Sequence, residues 1–214
     1  KGMLLNGKTI KLKGVSRHQD YAGVGNAITR AHCWGVQNEI TIAVENEKSY
    51  ATIQKLAAKA KQLDPDRLTA QANIYSVEND SLIHNFTDLT GYNLYYGWYY
   101  GDMEDLGKRL DAFHRAKPNM PVLVSEYGVD TNPTYHSYSP RVKDYSEEYQ
   151  LAYHHNVIKT IHEREFVSGG YVWNMFDFGS AVRNEGGERG KNLKGLVTID
   201  RKLKKGESLQ SRRV

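Results

Sequence analysis

Val122-Leu123-Val124-Ser125-Glu126-Tyr127-Gly128 is an apolar, β-prone run that stops on a glutamate. Trp34-Gly35-Val36-Gln37-Asn38-Glu39 does the same earlier in the chain. Short apolar runs of this kind read as strands buried on both faces, as in parallel sheets. A carboxylate at the end of a buried strand costs desolvation energy unless something nearby uses its charge. Two such carboxylates, on two strands of one sheet, suit glycosidic bond cleavage. One protonates the leaving oxygen, and the other attacks the sugar carbon or activates water. Glu39 and Glu126 are therefore the candidate catalytic pair. A single Glu after an apolar run is more often a loop residue or an ion-pair partner; the company of these two separates them from that case.

Further strand-like runs end in aromatic, amide and carboxylate clusters. Tyr92-Asn93-Leu94-Tyr95-Tyr96-Gly97-Trp98 is one, and Gly170-Tyr171-Val172-Trp173-Asn174-Met175-Phe176-Asp177 is another. Strand C-termini crowded in this way suit the working face of a β/α barrel. Aromatic faces suit sugar rings, and amides and carboxylates suit hydroxyls.

Between these runs the pattern alternates. Strands are expected over residues 9–17, 33–38, 68–74, 91–96, 121–125 and 170–176. A helix over 49–63 turns Ile53, Leu56, Ala57, Ala60 and Leu63 to one face, and Pro65 stops it. Asp102 is a candidate cap for a second helix with Met103, Leu106, Leu110 and Phe113 inward. Ser146 caps a third, with Glu147 and Glu148 in its first turn, as the helix dipole favours, and Tyr149, Tyr153, Val157 and Ile161 inward. Thr131 to Asp144 reads as a long loop. Arg183 to Lys194, rich in Gly and charge, reads as another loop, and 195–200 as a last strand outside the barrel. The fold class is α/β, a TIM-barrel-type domain over residues 1–214, with six strands where a closed barrel needs eight.

Composition narrows the function. The chain has 214 residues and a net charge of +4. No basic helix interleaved with stacking aromatics is present, so nucleic acid is not the expected partner. No run of about 18 apolar residues occurs, so no membrane-spanning helix is expected. The first residues are too short and polar for a signal peptide, and Cys33 is the only cysteine. A cytoplasmic, bacterial setting is the expectation.

The motifs together resemble the catalytic domain of glycoside hydrolase family 2, and within it the bacterial β-galactosidases, from about Leu5 to about Lys205. Leu12 to Asp20 is similar to that family's first barrel strand. Asn38-Glu39 is similar to its acid/base motif, Ser125-Glu126-Tyr127-Gly128 to its nucleophile motif, Trp173 to Asp177 to its last barrel strand, and Lys194 to Thr198 to its post-barrel strand. Several motifs in the right order carry far more weight than any one.

The resemblance implies roles. Glu39 is the acid/base and must hold its proton, whereas Glu126 is the nucleophile and must stay ionised. Tyr95 donates to Glu126, with the adjacent Tyr96 as the alternative donor. Asn38 binds the sugar 2-hydroxyl, Trp173 forms a platform under the ring, and His18 contacts the sugar. Asn192-Leu193-Lys194 has the Asn-x-Lys spacing that binds the acid group in related β-glucuronidases. The resemblance thus implies a retaining β-galactosidase acting on terminal β-galactosides. A β-glucuronidase is the second reading. A truncated, inactive fragment is the third, from another class. Some family members use magnesium near the acid; no metal ligands are assigned here.

One departure is large. Only Gln19 to His32 separates the first strand from the one carrying Glu39, where the family places two β/α units. Those units would carry an arginine and a histidine near the sugar. No stretch of these residues resembles the family's amino-terminal β-sandwich domains, and Gly206 to Val214 lacks the resemblance. Two outcomes follow. Either the first strand pairs directly with the Glu39 strand, or the barrel stays open. Open edges invite self-association, and activity weaker than that of a complete family member is the expectation.

Overall fold

The computed structural model describes residues 4–16, 35–39 and 45–204. A small antiparallel pair, β1 (Leu4–Leu5) and β2 (Lys8–Thr9), precedes β3 (Leu12–Val15). The expected strand over 9–17 is thus broken at Ile10 and Lys11. Next come β4 (Gly35–Asn38), α1 (Glu47–Leu63), β5 (Ala70–Ile74) and β6 (Leu89–Asn93). They are followed by α2 (Asp105–Ala116), β7 (Val122–Tyr127), α3 (Glu147–His162) and β8 (Val167–Val172). A hairpin of β9 (Phe178–Glu185) and β10 (Glu188–Asn192) ends the series.

Six strands make one parallel sheet in the order β3-β8-β7-β6-β5-β4. This is a partial β/α barrel. The first strand pairs with the last, not with the strand that carries Glu39. Among the described residues the sheet ends at β3 and β4, where the two shortened units would stand. Among the described residues the open outcome is the one seen.

Every residue of β6 is buried, as befits a central strand covered on both faces. The core joins Ile53 of α1, Leu106, Leu110 and Phe113 of α2, Val122 and Val124 of β7, Tyr153 and Val157 of α3, and Val167 of β8. Ser146 caps α3 as expected, its hydroxyl accepting from Tyr149 N at 3.1 Å. Asp102 does not cap α2. That helix starts at Asp105 with no side-chain cap, and the Asp105 carboxylate instead accepts from Asp102 N at 3.0 Å. The apolar face of α1 is narrower than expected: Leu56 is 44% exposed and Leu63 60%. The cause is position. α1 lies beside the edge strand β4, and no further helix among the described residues packs on its outer flank.

Two other segments differ from the sequence reading. Arg183 to Lys194 is mostly hairpin. Gly186 and Gly187 both have positive φ, 61° and 77°, which a tight two-residue turn between antiparallel strands requires. Residues 195–200 form only isolated bridges, Phe176 to Val197 and Val197 to Leu203. The buried Lys204 ammonium fixes that segment by donating to Asp177 at 3.0 Å, Thr131 O at 3.0 Å and Leu193 O at 2.8 Å.

The β3–β8 seam depends on a missing side chain. A Cβ on Gly169 would lie 2.0 Å from the Leu12 carbonyl oxygen, a backbone atom that cannot step aside. Gly169→Ala is expected to destabilise the chain by about 1–3 kcal/mol. A drop in the chemical denaturation midpoint checks this. An unchanged midpoint would mean that the seam is not under this constraint.

Candidate active site

Parallel strands deliver their C-terminal ends to one side of the sheet. Glu39 follows β4 directly, Asn93 closes β6, Glu126 lies near the end of β7, and Trp173 follows β8. These ends, with residues from the hairpin, surround a cavity of about 680 Å³. Asn38, Glu39, Tyr95, Glu126 and Trp173 all line it, and so do Asn192 and Lys194. His18, the remaining candidate from the sequence, lies outside the described residues.

Hydrogen bonds tie the two carboxylates together. Tyr95 Oη donates to Glu126 Oε2 at 2.8 Å, so Tyr95, not Tyr96, supplies that hydroxyl. Asn38 Nδ2 donates to Glu126 Oε1 at 3.3 Å. Asn93 Nδ2 donates to Asn38 Oδ1 and to Glu39 Oε1, both at 2.9 Å. Glu39 itself has φ 51°, in the left-handed region that non-glycine residues seldom enter. Its N–H is held by Ala72 O at 2.8 Å. Strained backbone of this kind clusters at functional sites.

The protonation of Glu126 departs from expectation. Burial pushes its carboxyl up to about 7. The donor from Tyr95 offsets part of this, the charge of Glu39 adds to the rise, and the donor from Asn38 offsets a little more. No cation pairs with it among the described residues. Burial thus works against the ionised form that a nucleophile needs. Tyr95 is driven well above its ordinary range, first by burial and then by the charge of Glu126, so it remains a donor.

The part of the lining formed by Arg183, Lys194 and Tyr99 carries the other sign. Lys194 is 1% exposed, and its ammonium donates to Asp130 and, at 2.5 Å, to Tyr99 Oη. Arg183 donates to Asp130 at 3.1 and 3.2 Å and to Tyr99 Oη at 2.7 Å. Lys143 stands 4.6 Å over the Tyr99 ring. Glu185 is 3.5 Å from Arg183. Burial would raise the Asp130 carboxyl, but Lys194 and Arg183 outweigh it and hold it below the ordinary range. Of these charged groups Arg183 and Lys194 line the cavity, and they share the one carboxylate of Asp130, a net charge of +1. Asn192 is buried, and its side-chain oxygen accepts from Lys194 N at 3.0 Å, holding that turn.

Asn93, Tyr99, Asp130 and Arg183 were not among the residues singled out from the sequence. Asn93 closes β6 and Tyr99 lies in the aromatic stretch that follows it, so a strand-end reading could have reached both. Arg183 was hidden in a stretch read as loop. Asp130 could be found only through its partner Lys194, distant in sequence. No group of three or more His, Cys, Asp or Glu suited to a metal exists among the described residues. The magnesium implied by resemblance has no such holder among them.

Comparison with known proteins places these features in context. The family model for glycosyl hydrolases family 2, TIM barrel domain, matches residues 33–213. A β-glucuronidase of Bacteroides fragilis is 35% identical over 206 residues, 94% of this chain and 28% of that protein. A β-glucuronidase of Sus scrofa is 32% identical over 180 residues, 80% of this chain and 26% of that protein. Among solved structures, an FMN-binding β-glucuronidase from Faecalibacterium prausnitzii L2-6 superposes with a TM-score of 0.87 at 32% identity. That match covers 96% of this chain and 44% of the other. The chain therefore spans under a third of the length of these curated relatives.

Proposed function

This chain belongs to glycosyl hydrolase family 2, and on that footing we propose that it cleaves terminal β-D-glucuronides with retention of configuration. Glu126 attacks the anomeric carbon as the bond to the leaving oxygen breaks, and Glu39 gives that oxygen a proton. Glu39 then takes a proton from water, which attacks the anomeric carbon and releases Glu126. Asn38 holds the 2-hydroxyl, and Trp173 lies under the ring.

The observation that carries the choice of sugar is the division of charge. The chemistry sits at a carboxylate pair, and the same cavity holds Arg183 and Lys194 with the Tyr99 hydroxyl. A uronic acid presents a carboxylate that these groups can bind through charge-assisted hydrogen bonds. A galactoside presents only a neutral hydroxymethyl there and gains nothing from the charge. The names of the relatives support the same sugar. The galactoside expectation therefore yields to the second reading from the sequence.

Comparing 4-nitrophenyl glucuronide with 4-nitrophenyl galactoside tests this. The glucuronide is expected to give the higher kcat/KM. Arg183→Gln should lower that value about 10- to 100-fold, the loss for one or two hydrogen bonds to a charged group. Turnover of the galactoside should barely change. A galactoside preference that survives in the variant would contradict the assignment. No turnover of either sugar would favour the inactive-fragment reading.

A further inference from the structure

We propose that Asn93, clamped by Ser125, is the positioning residue that aims Glu39 for proton donation; this rests on Glu39 being the acid/base.

Asn93 is 2% exposed, and every capacity of its side chain but one lone pair is used. Both amide hydrogens are spent, one on Asn38 Oδ1 and one on Glu39 Oε1, each at 2.9 Å. Its oxygen accepts from Ser125 Oγ at 2.9 Å. Only one amide orientation works. Turned over, it would set its oxygen against the oxygens of Asn38 and Glu39 and leave two acceptors facing a third. The two acceptors select the working orientation, and the serine hydroxyl holds it by donating to the amide oxygen.

The need for such a clamp comes from the fold. Glu39 lies just past β4, an edge strand among the described residues, and the β4–β5 register slips between Gly35 and Asn38. The strained backbone at Glu39 and a single hydrogen bond to β5 leave its carboxylate direction undetermined. Asn93 reaches it from β6, two strands away. Asn93 is also in register with Glu126, and Ser125 immediately precedes that residue. One amide therefore ties the acid to the strand that carries the nucleophile, and fixes the two relative to each other. A displacement of the donor by about an ångström is enough to cost a large rate factor.

The test uses aryl glucuronides that share the sugar and differ in the leaving group. A well-placed general acid matters for poor leaving groups and little for activated ones. Asn93→Ala should lower kcat/KM for the phenyl glycoside on the order of 10²-fold, and for the dinitrophenyl glycoside several-fold at most. Ser125→Ala should move both in the same direction by less. It also carries the test should Asn93→Ala fail to fold. Equal losses across the leaving-group series would show a merely structural role and overturn the proposal. A wild-type chain that turns over none of these glycosides would remove the acid/base reading, and the proposal with it. That failure is visible before any variant is made.

Discussion

Glu126→Gln is expected to lose turnover on the order of 10⁶-fold, the scale on which hydrolases lose activity with their covalent nucleophile, while the folded chain becomes more stable at alkaline pH. The first effect follows from chemistry, since an amide cannot attack the anomeric carbon. The second follows from burial. The carboxyl is pushed up to about 7 from an ordinary 4.5, so between those values the folded chain binds a proton that the unfolded chain has released. Stability from this group is fully present below about pH 4.5 and falls as pH rises to about 7. Above that the folded state bears the penalty of a partly buried carboxylate with hydrogen-bond donors but no cation beside it. The gap bounds the penalty at about 3 kcal/mol, and some solvent contact reduces it to about 1–3 kcal/mol. Denaturation of both proteins at pH 4.5 and pH 8 checks this: near-equal stability at the lower pH, and a more stable Gln variant at the higher. A variant less stable than wild type at pH 8 would contradict the burial argument. The same titration predicts that kcat/KM of the wild type falls below about pH 7, because the nucleophile must be ionised.

Glu39→Gln should separate substrates by their leaving groups. The proton that Glu39 donates is needed only when the departing oxygen is basic. Loss on a phenyl or alkyl glucuronide should reach about 10³-fold, within the range for general acid catalysis, and loss on a dinitrophenyl glucuronide should be much smaller in kcat/KM. The second step also needs Glu39, as base for water. Azide attacks without a base, so it should restore turnover of the activated substrate and yield the glycosyl azide. Uniform losses, with no azide effect, would remove Glu39 from the acid/base role.

Much of the architecture could be read from local pattern. The runs at Val122 to Tyr127 and Gly35 to Asn38 lie on strands, and six strands rather than eight form the sheet among the described residues, as the short link Gln19 to His32 led one to expect. Ser146 and the 3.6-residue spacing of Tyr149, Tyr153 and Val157 located α3. The misses have physical causes. Leu56 and Leu63 carry a helical apolar pattern, but the flank they would pack against is absent among the described residues. Asp102 has a capping residue type, but the chain there spends another turn before becoming helical. Gly186-Gly187 is a hairpin signal, and it was outweighed by the charge around it; Arg183 was missed with it. The protonation of Glu126 depends on which charges surround a buried group in space, and so does the pinning of Lys194 by Asp130. Sequence spacing does not encode either.

Covalent capture tests the central claim most directly. The chain would be incubated with a glucuronic-acid-configured cyclophellitol aziridine, with the galactose-configured compound in parallel, and the adduct mapped by peptide mass spectrometry. A single adduct is expected on Glu126, faster with the acid-bearing probe, and absent from Glu126→Gln. An adduct on Glu39, faster labelling by the galactose-configured probe, or no adduct at all would contradict the assignment.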